Sequence, residues 1–153
     1  MVFVSIGTQK QDFSRIFKLV EKSAKLKDKK IIAQTGNTKF KSDKMKCIPS
    51  IDSKMYSEYI KKADMVICHG GVGTIFDAIG NGRHVLVVPR LKKYKEHIND
   101  HQLEVASELE KEGYLIVYKD GEDFDKYISK LQNFTPKKYV REKNFIDILK
   151  KEI

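Results

Sequence analysis

The residues best suited to chemistry crowd into one short stretch, His69-Gly70-Gly71-Val72-Gly73-Thr74, with Asp77 three positions further on. The apolar run Met65–Cys68 precedes them. Three glycines let a backbone approach a ligand closely and take positive φ values. A helix opening directly behind them presents N–H groups that lack acceptors in a preceding turn, together with a partial positive charge. The combination suits an anion, and a pyrophosphate in particular. Asp77 lies a turn or so into that helix, where a carboxylate can reach back and accept hydrogen bonds from two ribose hydroxyls. The plainer alternatives are a tight turn that needs glycine only for packing, and a solvated helix carboxylate. A histidine and a threonine beside three glycines exceed what a turn requires. The stretch lacks the Gly-Lys-Ser/Thr ending of a Walker A loop and the G-x-G-x-x-G spacing of a dinucleotide fingerprint.

Such a loop needs a strand before it and a helix after it, and the chain supplies both repeatedly. Val2–Ile6, Ile31–Gln34, Lys46–Ile48, Met65–Cys68, Val85–Val88 and Leu115–Val117 read as strands. Between them, Phe13–Leu26, Asp52 or Ser53 to Ala63, Thr74–Ile79, Asn99–Lys111 and Asp123–Leu131 have helical spacing. Asp12 is a candidate N-cap for the first helix, and Gly80-Asn81-Gly82 closes the third. This alternation predicts an α/β fold, a doubly wound parallel sheet of Rossmann type. Ligands of such sheets bind beyond the carboxyl ends of the strands, which directs attention to the residues after Ile6, Cys68 and Pro89. Gly7-Thr8 then lines the anion cleft from the side opposite the glycine loop, unless it is only a strand-ending turn. Gln9 and Lys10 stand nearby as polar donors.

The chain has 153 residues, 41% of them hydrophobic, which fits one ordinary domain. Its organisation reads as residues 1–135, a Rossmann-like domain, and 136–153, a C-terminal helix set off by Thr135-Pro136. Phe145, Ile146, Leu149 and Ile153 share one face of that helix, which either docks a partner or packs back on the sheet. Cys47 and Cys68 read as reduced core thiols rather than a disulfide or a metal pair. No apolar run approaches the roughly 20 residues of a membrane span, and the apolar start is too short for a signal peptide, so a cytoplasmic location is expected. A net charge of +9 favours anionic partners. The lysines are scattered, and neither zinc-finger spacing nor an aromatic ribonucleoprotein motif is present, so nucleic acid is not the expected partner.

His69, the glycines, Thr74 and Asp77 fall at the spacing of the donor-binding motif of GT-B glycosyltransferases. From Val2 to about Leu131 the chain resembles the C-terminal, donor-binding domain of MurG-like enzymes. It is still closer to the PssE-like small catalytic subunits of two-component UDP-sugar glycosyltransferases. The family usually carries glutamate where this chain has Asp77. The resemblance implies that Gly7, Thr8, His69, Gly70, Gly71, Gly73, Thr74 and Asp77 hold a UDP-sugar. It further implies that the segment around Ile51 reads the uracil edge. Asp100-His101-Gln102 match an Asp-His-Gln pattern that binds donor-sugar hydroxyls in related enzymes; ordinary helix capping by Asn99 or Asp100 is the alternative. Arg90 and the lysines after it either attract the diphosphate or form a mobile basic loop.

The function implied is the donor-binding catalytic subunit of an inverting transferase, with β-1,4-galactosyl transfer in polysaccharide synthesis as the first expectation. N-acetylglucosamine and glucuronic acid are the next donor sugars. Helix-terminal N–H groups and His69 would stabilise the leaving diphosphate, so no cofactor and no metal are expected. The acceptor would be a lipid-linked saccharide, held by a membrane-anchored partner subunit that keeps this chain peripheral to the membrane. No catalytic base is identified; His84 reads as structural. A non-catalytic UDP-sugar-binding regulatory module is the alternative function.

Overall fold

In the computed structural model, which describes residues 1–139, each of these apolar runs is a strand, with ends shifted by at most one residue. The strands are β1 (Val2–Ser5), β2 (Ile31–Gln34), β3 (Lys46–Ile48), β4 (Met65–Cys68), β5 (His84–Val87) and β6 (Ile116–Val117). They form one sheet in the order β3-β2-β1-β4-β5-β6, and every pairing is parallel. This is the doubly wound Rossmann arrangement that strand–helix alternation predicts. The chain winds outward from β1 to β3, then returns to lay β4 on the other side of β1. The register sets Ser5 beside Gln34 on one flank and Cys68 on the other. All three therefore end their strands at the crevice where the winding reverses.

Period-two alternation assigns the side chains of β1 to two cores. Val2, Val4 and Ile6 face a cluster with Phe13, Ile16, Phe17, Val20, Ile128 and Leu131. Phe3 faces the other, with Ile60, Val66, Ile75, Val105 and Leu109. Burying each such side chain contributes about 1.5–3 kcal/mol. The first cluster is covered by α1 (Ser14–Lys22) and α5 (Phe124–Gln132). The second is covered by α2 (Ser53–Lys62), α3 (Val72–Gly80) and α4 (His101–Lys111).

Helix ends depart from the sequence expectation for local reasons. Asp12 is not the N-cap of α1; the helix starts one residue later than expected, with Phe13 in that place, and the Asp12 carboxylate accepts from the backbone N–H of Ser14. The helix stops at Lys22 rather than Leu26, because Ser23 turns inward to bond the Asp125 carboxylate, which also accepts from the Ala24 N–H. Asp52 caps α2 as expected, through the Met55 N–H. The third helix begins two residues before Thr74, with Gly71 as its N-cap. Gly82 then closes it at φ +69°, its N–H on the Ile79 carbonyl and that of Arg83 on the Ala78 carbonyl. The fourth starts at His101 because Asn99 Oδ1 accepts the His101 N–H.

The last described residues run back along the domain, with the Lys137 N–H on the Gly113 carbonyl and the Tyr139 ring beside Phe76 and Tyr114. The apolar face of Phe145, Ile146, Leu149 and Ile153 lies outside the described residues.

Candidate functional site

A cleft of about 560 Å³ opens at the carboxyl ends of β1, β2 and β4. The volume is within the usual range for small-molecule sites. Of the residues singled out from the sequence, Gly7, Thr8, Ile51, His69, Gly71, Gly73 and Thr74 line it together. One wall is the first turn of α3, whose Val72, Gly73 and Thr74 N–H groups have no acceptor in a preceding turn. A Cβ placed on Gly73 would meet nothing within 4 Å, so the missing side chain leaves the helix mouth open.

His69 is the wedge beneath this opening. A Cβ on Gly71 would lie 2.2 Å from its ring, and one on Gly7 would lie 2.6 Å from its Nε2. Gly7 also sits at φ +71°, so two separate constraints call for glycine there. The imidazole is 6% exposed. Burial, reinforced by the Arg90 charge, pushes its pKa down to about 3, so the ring is neutral near pH 7. Its tautomer follows from the neighbouring amide. Gln102 Oε1 accepts from the N–H groups of Gly70 (3.0 Å) and Arg90 (3.3 Å), which fixes the amide's orientation. Its NH2 then donates to His69 Nδ1 at 3.3 Å, which leaves the proton on Nε2, between Gly7 and Gly71. His69 therefore offers the cleft a neutral N–H donor, suited to a phosphate oxygen and unsuited to removing a proton.

The remaining candidates lie elsewhere. Gly70 does not line the cleft; a Cβ there would meet Gln102 Cβ at 2.5 Å. Gln102, read as a sugar contact, is buried at 3% exposure with its amide engaged by the glycine loop, the Arg90 N–H and His69. Asp100 is exposed and accepts the Lys92 N–H at 2.9 Å; it stands at the N-cap of α4 without a side-chain capping bond. His101 is exposed at the first position of the same helix. Asp77 is exposed on α3 outside the cleft wall, yet near enough for its charge to raise the Tyr56 pKa slightly, after burial as the main cause.

Arg90 is neither a diphosphate contact nor part of a mobile loop. It is fully buried, its guanidinium donating to the carbonyls of Ile6, Gln11 and Glu96 and stacked on Phe13 at 4.8 Å. The Glu96 carboxylate in turn holds Arg15 and the Leu91 N–H. The connection after β5 is thus braced from inside. His84 is structural as expected, with Nδ1 2.9 Å from the Leu131 carbonyl. The chain's one Asp-x-Asp triplet, Asp123-Phe124-Asp125, serves the start of α5: Asp123 caps the Asp125 N–H, and Asp125 bonds Ser23 and Ala24.

Sequence reasoning missed the floor of the cleft. Gln34 ends β2 almost fully buried, and its Oε1 accepts from the N–H groups of Ile6 and Gly7, both at 3.1 Å. Its NH2 donates to the Gly7 carbonyl. Gly36, at φ +56°, sits against the Gly7 carbonyl, and Asn37 Nδ2 donates to the carbonyls of Thr8 and Gln9. Tyr56 stands between Ser5 and Thr74, 2.6 Å from each hydroxyl. A polar residue closing the apolar run Ile31–Gln34, followed by Thr35-Gly36-Asn37, was the available signal.

The family and the fold of the chain are shared with known proteins. The sequence profile of the glycosyltransferase family 28 C-terminal domain matches residues 1–152. The chain belongs to that family. The UDP-N-acetylglucosamine transferase subunit ALG13 of Homo sapiens is 43% identical over 58 residues, 38% of this chain and 5% of that protein. The protein of the same name in Candida albicans is 28% identical over 94 residues, 61% of this chain and 30% of its own length. The chain therefore spans a minor part of the curated relatives it matches. The solution structure of ALG13 superposes at TM-score 0.61 with 16% identity, over 97% of this chain and 93% of that one. The glycosyltransferase SnogD from Streptomyces nogalater gives 0.58 with 17% identity, over 85% of this chain and 34% of its own. At such identities these two structures speak to the fold, and both share it. The matched family is a glycosyltransferase C-terminal domain, as the resemblance of the glycine motif led us to expect.

Proposed function

We propose that the chain is the donor-binding catalytic subunit of an inverting UDP-sugar glycosyltransferase, active with an acceptor-binding partner. The observation that carries this is the convergence on one cleft of the α3 N-terminus, the neutral Nε2–H donor of His69 and the open flank at Gly73. As a glycosidic bond to a nucleotide breaks, negative charge grows on the leaving diphosphate. Fixed N–H dipoles aimed at that charge stabilise the transition state without reorganising. Thr8 and Gly7 would face the diphosphate from the β1 side, and Ile51 with Pro49 and Ser50 would contact the base. Asp77 would accept from the ribose by swinging over the rim beside Tyr56.

N-acetylglucosamine is the donor sugar we favour, since the curated relatives are named for its transfer. Galactose, the first expectation from sequence, is second. The partner we infer is membrane-anchored and binds a lipid-linked saccharide, and the catalytic base belongs to it or to the acceptor side of the interface. Among the described residues lining this cleft, His69 is neutral with its basic nitrogen occupied and burial keeps the Tyr56 phenol protonated, so neither is suited to that work.

Calorimetry with UDP, ADP and UDP-sugars is the direct test. UDP binding with discrimination against ADP is expected, and an indifferent cleft at saturating UDP would end the proposal. Asp77→Ala should weaken UDP by roughly 1–3 kcal/mol, the usual scale for hydrogen bonds to a charged group. Wild-type affinity in that variant would remove Asp77 from the site. A donor screen with the partner co-expressed then identifies the sugar.

A further inference from the structure

Three hydroxyls cross the floor of the cleft in a line that ends on an amide. Thr74 Oγ1 is 2.6 Å from Tyr56 Oη, which is 2.6 Å from Ser5 Oγ, which is 3.1 Å from Gln34 Oε1. Each hydroxyl has one hydrogen to give, so the direction of one bond sets the others. Two backbone N–H groups already identify the Gln34 atom as the oxygen. Ser5 therefore donates to it, Tyr56 donates to Ser5, and Thr74 donates to Tyr56. In this direction Thr74 shows the cleft only lone pairs, the wrong polarity for a phosphate oxygen beside the α3 N-terminus.

Resting on the diphosphate reading of the cleft, we propose that Tyr56 is a positioning residue whose hydroxyl lets this chain reverse when an anion binds, converting Thr74 from an acceptor into a donor. In the reversed direction Ser5 donates to Tyr56, Tyr56 to Thr74, and Thr74 to the anion. Only hydroxyl rotations are involved, and no proton changes its owner. The bond given up is the longest of the three, and Gln34 Oε1 keeps its two N–H donors. Burial holds the Tyr56 phenol above its ordinary pKa, so it stays protonated and able to relay in either direction. The ring itself packs edge-on against Phe3 at 5.2 Å, which Tyr56→Phe preserves.

Calorimetric titration of UDP and of uridine into wild type, Tyr56→Phe, Thr74→Val, Thr74→Ser and the Tyr56→Phe/Thr74→Val double variant tests this. Thr74→Val should lose about tenfold in UDP affinity, the scale of one hydrogen bond to a charged group, with Thr74→Ser close to wild type. Tyr56→Phe removes both the acceptor that holds the Thr74 hydrogen and the donor that would replace it, so UDP affinity should shift several-fold while uridine is unchanged. The double variant should bind no more weakly than Thr74→Val alone, since Tyr56 acts through Thr74. Losses that multiply in the double variant, or a uridine loss equal to the UDP loss, would overturn the relay. So would UDP affinity of Tyr56→Phe equal to that of wild type while wild type binds well. No UDP binding by wild type would overturn the cleft reading and the relay with it. Urea midpoints of Tyr56→Phe and Thr74→Val near wild type are expected, and Thr74, in the first exposed turn of α3, carries the test if the tyrosine variant unfolds.

Discussion

The β4–α3 and β5–α4 connections leave neighbouring strands at the same end of the sheet, and both carry residue types suited to a ligand. They use them in opposite directions. After β4 the backbone itself faces outward, with glycines clearing a path to the first N–H groups of α3. After β5 the polar side chains face inward: Arg90, Glu96 and Gln102 are all buried and bonded to backbone or to one another's neighbours. The two meet at Gln102, whose amide ties the Gly70 N–H to the Arg90 N–H and holds His69 in one tautomer. One connection thus lines the cleft and the other is the scaffold that fixes its shape. A motif made of backbone declares its use through Gly73, whose missing side chain opens the helix mouth, while Gly70 and Gly71 make room for Gln102 and His69. A motif made of side chains does not, because the same amide or guanidinium serves a ligand or a carbonyl equally well.

The sharpest way to break this contrast is at Arg90. Arg90→Met leaves the carbonyls of Ile6, Gln11 and Glu96 without their buried donors and should cost about 3–5 kcal/mol, the range for stripping one member from a buried charged network. Arg90→Lys should recover little, since a single ammonium cannot reproduce the planar fork. Urea unfolding measures both. A loss below about 1 kcal/mol would mean the guanidinium is dispensable inside and available to a ligand.

Two glycines in one loop sharpen it further. A Cβ at Gly70 meets the Cβ, carbonyl oxygen and Cα of Gln102 at 2.5, 2.8 and 2.9 Å, so Gly70→Ala must shift the start of α4. Overpacking of that kind costs roughly 1–3 kcal/mol. Gly73→Ala meets nothing and lies inside a helix, so stability should hold or rise by up to about 1 kcal/mol. Its methyl would nonetheless stand in the anion path, and UDP affinity should fall about tenfold, or roughly 1.4 kcal/mol. Equal effects of the two substitutions on stability and on binding would erase the distinction between scaffold and surface.

How much of this was legible follows the same division. Residues such as Val2, Ile32 and Val66 announce strands by continuous apolar character, as expected where a parallel sheet is covered on both faces. That Gly7, His69, Gly71, Gly73 and Thr74 would share one cleft was legible because ligands of such a sheet bind beyond the strand ends, where these residues stand. Gln34 and Tyr56 were not, because their partners lie 27 and 51 residues away, and only the β2-β1-β4 adjacency brings them together. Gln102 was legible as a polar residue at a helix start, but its direction depends on where α4 lands against β4. That placement is tertiary, and no local spacing encodes it.

Acid stability probes His69 at the junction of the two connections. Its folded pKa of about 3 lies below the ordinary 6.5, so the unfolded chain binds a proton that the folded one refuses. The sign follows directly: stability from this group is complete above about pH 6.5 and declines as pH falls toward 3, by at most about 1.4 kcal/mol per pH unit. Urea midpoints of wild type and His69→Gln between pH 7 and 4 should diverge, with wild type the steeper. Parallel curves would show that the imidazole is charged or solvated in the folded protein, and the neutral-donor role would go with it.

The smallest effects belong to the exposed pair at the start of α4. Asp100→Asn and His101→Ala touch no buried contact and should change stability by less than about 0.5 kcal/mol. Their value lies in a ratio. If these side chains contact the sugar, as the Asp-His-Gln pattern implies, UDP-sugar affinity should drop two- to fivefold, roughly 0.4–1 kcal/mol, while UDP affinity stays constant. An unchanged ratio in both variants would leave the whole β5–α4 connection as scaffold, with the sugar read instead from the β1 and β2 ends of the cleft. A fall in UDP affinity itself would place these residues on the diphosphate, and the opposition between an outward-facing and an inward-facing connection would no longer hold.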